Sequence, residues 1–172
     1  MPLCLRATAN DYIVTTQLPI TPIASATPVT NGYTIPEVIT LNLTCKKDAI
    51  EIDGLFTLTY TANIAANAVA GTYTDTTTIS IYQGTTATGT AIYTTTPVVR
   101  LHHYPANGDT AVTETQAWQV ALQYIGYPAL PVTEATVNYT IVVTSTVTGG
   151  VTPIVYLQEY TVSAREIPDC DL

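Results

Sequence analysis

Apolar and polar residues alternate with a period of two along most of the chain, and no stretch carries the spacing of an amphipathic helix. In Ile39-Thr40-Leu41-Asn42-Leu43-Thr44-Cys45-Lys46 the apolar side chains fall on one face and the polar ones on the other. That is the signature of a half-buried strand. It places Cys45 on the inward face, where a thiol behaves as a small hydrophobe. Next, Ile50 and Ile52 alternate with Glu51 and Asp53, and Leu55 beside Phe56 reads as a change of phase after Gly54. A glycine at a phase slip predicts a bulge or a strand break. Strands follow at 75–82 and, past a turn between Gly84 and Gly89, at 90–94. Val98 to Leu101 continues that strand or begins another. Residues 102–109 are expected as a loop, with Asn107-Gly108 as its turn signal. Trp118, Val120, Leu122 and Tyr124 then alternate with Gln119, Ala121 and Gln123. Residues 126–131 form a proline-punctuated connection. Ala135 to Val147 and Ile154 to Ala164 are the last strands, with Gly149-Gly150 as a hairpin turn between them.

Seven to nine short strands joined by Gly, Pro and Asn turns predict an all-β chain, an antiparallel β-sandwich or barrel. A Greek-key jelly roll is the first choice, and an immunoglobulin-like sandwich the second. The second lacks a Cys…Trp…Cys arrangement around Trp118. Residues 1–35 differ from the rest: Pro2, Pro19, Pro22 and Pro28 break the segment, and Pro36 follows it. Proline cannot donate to a ladder, so this is no central strand. The expected organisation is an extended N-terminal arm over 1–35, a sandwich domain over 36–167 and a C-terminal tail over 168–172. The arm is either a plain extension or a strand donor to a neighbouring sheet, with Tyr12, Ile13 and Val14 as its docking residues.

Composition narrows the function. Threonine fills about a fifth of the 172 residues, whereas Lys and Arg together number 5. Thr is β-branched and tolerates a wet face, so this surface is solubilised by hydroxyls instead of charge. Such surfaces are the habit of extracellular fibres, coats and capsids. The formal net charge is −8, and no basic stripe exists for a nucleic acid. No apolar run approaches the roughly 18–20 residues that cross a bilayer. The first ten residues show no basic stretch followed by an apolar one, so no secretory signal is expected.

Candidate chemistry is sparse. Cys4, Cys45 and Cys170 lack the close spacing of a zinc site. They read as free thiols, as intermolecular cross-links through the terminal pair, or as an internal Cys4–Cys170 bridge. His102 and His103 would point to opposite faces of a strand, and no nucleophile elbow accompanies the scarce serines. Glu51 and Asp53 share one strand face, which makes them a solvated acidic patch, a calcium site or a glycosidase pair. No catalytic set, cofactor or metal is expected, calcium being the one ion considered. The 12 tyrosines against a single Phe suit sheet faces and subunit contacts, and also sugar stacking. Asn42-Leu43-Thr44 and Asn138-Tyr139-Thr140 match the glycosylation sequon, a match that arises by chance in a chain so rich in Thr.

The segment Ile79-Ser80-Ile81-Tyr82-Gln83-Gly84-Thr85-Thr86-Ala87-Thr88-Gly89-Thr90-Ala91-Ile92 resembles bacterial endospore appendage subunits. Those share a hydrophobic strand, a Gly-rich turn, then Thr-Gly-Thr-Ala and a second strand. The resemblance implies a jelly-roll subunit polymerised by N-terminal arms and intersubunit disulfides, with Cys4 as an arm cysteine. The chain departs from that family in its greater length, its fewer N-terminal cysteines and its Cys170.

The expectation is therefore a non-enzymatic subunit, partnered by copies of itself, of an extracellular, cell-surface or spore-surface filament or coat. A viral or phage capsid, decoration or fibre protein is the second reading, located in the virion. A carbohydrate-binding β-sandwich is the third.

Overall fold

Strands dominate because stiff β-branched residues recur at every second position and glycine or proline punctuates the gaps. The computed structural model describes residues 27–28, 32–43, 48–129, 136–149 and 153–167. Their elements are β1 (Thr27–Pro28), β2 (Tyr33–Thr34), β3 (Ile39–Asn42), β4 (Ala49–Ile64), β5 (Gly71–Gln83), β6 (Tyr93–Thr94), β7 (Val98–Tyr104), β8 (Val112–Gly126), β9 (Thr136–Gly149) and β10 (Ile154–Ile167). No helix occurs among the described residues, and the strands pair antiparallel throughout. The chain is all-β and forms a two-sheet sandwich. One sheet runs β1-β10-β4-β8; the other runs β2-β9-β5-β6, with β3 also on β9 and β7 also on β5.

Two edge strands of the second sheet are each interrupted once. Between β2 and β3, the Ile35 N–H still donates to Ile141 O at 2.9 Å, and Pro36, lacking an N–H, ends the run. Between β6 and β7, Thr95 keeps the ladder closed. Its N–H donates to Ile79 O at 2.9 Å, and its Oγ1 accepts from Ile79 N–H at 3.0 Å. With each interrupted pair counted as one strand, eight strand positions remain. The sheets then read first-eighth-third-sixth and second-seventh-fourth-fifth.

The core lies between the sheets. From β4 it receives Ile50, Ile52, Phe56, Leu58, Tyr60, Ala62 and Ile64, and facing them are Ile79, Ile81, Tyr139, Ile141 and Val143. Each large side chain removed from water here contributes roughly 1.5–3 kcal/mol. These inward β4 positions are all even-numbered, so the expected phase change at Gly54 does not occur. Leu55 is an outward residue, and the register with β8 is unbroken. Gly54 keeps its turn in the inward series because the Phe56 ring lies over it. A Cβ there would meet Phe56 Cε2 at 2.8 Å. The irregularity sits on β10 instead, between Leu157 and Glu159, where the inward series passes from Leu157 to Tyr160.

The loop expected at 102–109 is also shorter. His102, His103 and Tyr104 belong to β7, paired with Tyr73, Thr72 and Gly71, and the connection starts at Pro105. At the N-terminal side, β1 pairs with β10, β2 pairs with β9, and Ile35 is buried. The described end of segment 1–35 thus lies on the sandwich. The tail 168–172 lies outside the described residues.

Candidate functional site

Polar chemistry gathers inside one end of the sandwich. Strand β5 turns Tyr73, Asp75, Thr77, Ile79 and Ile81 to the interior, so one carboxylate shares a phase with core residues. Asp75 is 1% exposed. Its Oδ1 accepts from Ser145 Oγ of β9 at 2.5 Å and from Thr77 Oγ1 at 3.4 Å. Burial, the largest influence, raises the Asp75 pKa above the usual carboxylate range. The Ser145 hydrogen bond, His102, Thr77 and Arg100 pull the other way.

From β7, His102 enters the same space. Its ring lies 4.5 Å from Tyr60, edge to face, and 4.6 Å from Tyr73, stacked. Tyr60 also meets Trp118 at 6.1 Å, and the Arg100 guanidinium covers the Trp118 ring at 4.6 Å. Burial, then the charge of Arg100, lowers the His102 pKa, while Asp75 and Glu114 oppose that shift. Burial first, then Tyr60, raises the Tyr73 phenol. Among the described residues, Asp75 Oδ2, His102 Nε2 and Trp118 Nε1 are buried without a hydrogen-bond partner. Buried polar atoms are rarely left so.

The arrangement buries aromatic surface around Asp75 and His102 and leaves Ser145 out of reach of a substrate. Ser145 gives its hydrogen to Asp75, and it has no exposure to solvent. A nucleophile must instead sit within hydrogen-bond reach of its base and of a substrate. His103, the other histidine, points outward and is exposed, as adjacent strand residues require.

On the outer face of the first sheet, Glu51 and Asp53 do share a face, and with Ser163 and Arg165 they line a shallow concavity. The Glu51 carboxylate is paired with Arg165 Nε of the neighbouring strand. Among the described residues, no group of three His, Cys, Asp or Glu side chains stands close enough to hold a metal ion.

The expected cross-linking residues Cys4, Cys45 and Cys170, and the expected docking residues Tyr12, Ile13 and Val14, all lie outside the described residues. What the sequence reading missed is the Asp75–Ser145–His102 cluster. One signal was available: Asp75 stands in the inward phase of Tyr73, Ile79 and Ile81.

The free edges form a second candidate. β8 spans 15 residues and pairs with β4 over its whole length without a register shift. Among the described residues it has no partner on its other side. It contains no proline, and Glu114 is its one charged residue. No protein-family model, curated protein or solved structure matches the chain.

Proposed function

We propose that the chain is a non-enzymatic structural subunit that assembles with copies of itself into a surface filament or coat, by strand addition supported by disulfides. The observation that carries this reading is the edge of β8 that stands open among the described residues. Natural sheets blunt their edges with prolines, lysines, bulges or very short strands. β8 has none of these over 15 residues. On the opposite border of the same sheet, the described residues of β1, Thr27 and Pro28, pair with Leu157 and Tyr156 of β10. A strand donated by a neighbouring copy would satisfy the open N–H and C=O groups of β8, and the Tyr12-Ile13-Val14 run within residues 1–26 is the candidate to supply one. The strand order, with first beside eighth, second beside seventh, third beside sixth and fourth beside fifth, supports the jelly-roll form of the sandwich. Cys4 and Cys170 are the candidates to lock the polymer covalently, which would slow its dissociation. Assembly of this kind suits a location outside the cell, on a cell or spore surface.

Electron microscopy of the purified chain, with gels run with and without reductant, tests the reading. Regular assemblies, and a ladder of multimers that collapses on reduction, are expected. A monomer in both lanes with no assemblies refutes it.

A further inference from the structure

The two outer faces of the sandwich differ in charge. The outer face of β4, β8 and β10 carries Glu51, Asp53, Glu159 and Arg165. The outer face of the other sheet carries no Asp, Glu, Lys or Arg on any described strand residue. Its two charged residues, Asp75 and Arg100, both turn inward. At the centre of this neutral face, Thr74, Thr76 and Thr78 of β5 stand directly opposite Thr148, Thr146 and Thr144 of β9. Beside them, at the border strand β7, Val99 and Leu101 are 62% and 60% exposed.

We propose that this face docks against the same face of a second copy, an inference that rests on the assembly reading and names a lateral contact distinct from the β8 edge. Charge selects the occupant. Copies of a chain with net charge −8 repel one another, and the cost of approach is least where a face brings no charge. Interface cores are likewise depleted of charged residues. Four strands about 4.8 Å apart, over about ten residues of 3.3 Å rise, offer on the order of 600 Å² per copy. A specific contact needs about 1,000 Å² in total, so two copies meet that requirement. Stiff Thr side chains lose little rotamer freedom on packing. The self-complementary contact is two-fold, so it pairs filaments and does not extend them.

The test compares mass per unit length of assembled filaments by scanning transmission electron microscopy. Thr76→Glu with Thr146→Glu places two like charges at the centre of the neutral face. Leu55→Glu with Thr161→Glu, likewise a directly opposed pair and away from the β8 edge, places the same charge on the outer face of the other sheet. Wild type and the second variant should give equal mass per length, and the first variant half of it. Val99→Ser with Leu101→Ser, two exposed positions whose change leaves the core intact, should also lower the paired fraction, by about tenfold at a fixed concentration. Unchanged mass per length in both neutral-face variants overturns the lateral contact while leaving the assembly reading intact. A wild-type chain that stays monomeric at all concentrations overturns both.

Discussion

His102 and Asp75 carry opposite pH dependences because burial disfavours the charged form of each. The folded-state pKa of His102 lies below its ordinary value. Unfolded chains therefore take up this proton first, and stability is lost as pH falls through about 6.5. The folded-state pKa of Asp75 lies above its ordinary value. Its contribution is favourable while the carboxyl is protonated and is lost as pH rises from about 3.9 through the folded value. Replacing His102 with Gln should flatten the fall in melting temperature between about pH 7 and 5. Replacing Asp75 with Asn should raise the melting temperature at pH 7 by a few degrees, on the order of 1 kcal/mol, because an amide keeps the acceptor for Ser145 without a buried charge. Melting curves across pH check both; parallel curves for wild type and His102→Gln would mean that His102 does not titrate against folding. The cluster was only half legible in the sequence. Asp75 could be placed inward by phase, but Ser145 and His102 reach it from β9 and β7, and no local spacing reports which distant strands are neighbours.

Among the elements, β4 and the interrupted edge strand β6–β7 beside β5 are the places where one atom decides continuity. Gly54 leaves room for the Phe56 ring, which stacks on Tyr160 with centroids 6.0 Å apart. A methyl at Gly54 pushes that ring off its partner, so Gly54→Ala should destabilise by about 1–3 kcal/mol. The chemical-denaturation midpoint measures this, and an unchanged midpoint would mean that the ring moves at no cost. Thr95→Val should remove the acceptor of the buried Ile79 N–H and cost about 1–3 kcal/mol, whereas Thr95→Ser should retain most of the stability. Strand existence was legible because alternation encodes it directly. The misplaced bulge had a physical cause: a glycine adds no apolar side chain to the inward series, and exposed Leu55 imitated a shift of phase. The real shift, beyond Leu157 on β10, lacks a glycine to mark it. Asn107-Gly108 is so strong a turn signal that it draws His102 into the expected loop, whereas β7 continues to Tyr104 by pairing with β5.

At the scale of the whole molecule, the threonine surface and the charge balance act together. A net charge of −8 opposes association, and salt screens that repulsion over about 10 Å at 0.1 M. Assembly should therefore speed up as ionic strength rises, which light scattering can follow; slower assembly in salt would point to attractive charge pairs at the contact. The sandwich itself needs no partner for its core, since Tyr60, Tyr73, Tyr139 and Phe56 are all fully buried within one copy. Strand donation should then be separable from folding. Deleting residues 1–20 and comparing circular dichroism with electron microscopy separates the two most directly. A folded β-rich monomer that forms no filaments, beside a full chain that does, is the predicted result. Filaments of normal form from the truncated chain would contradict assembly by strand donation.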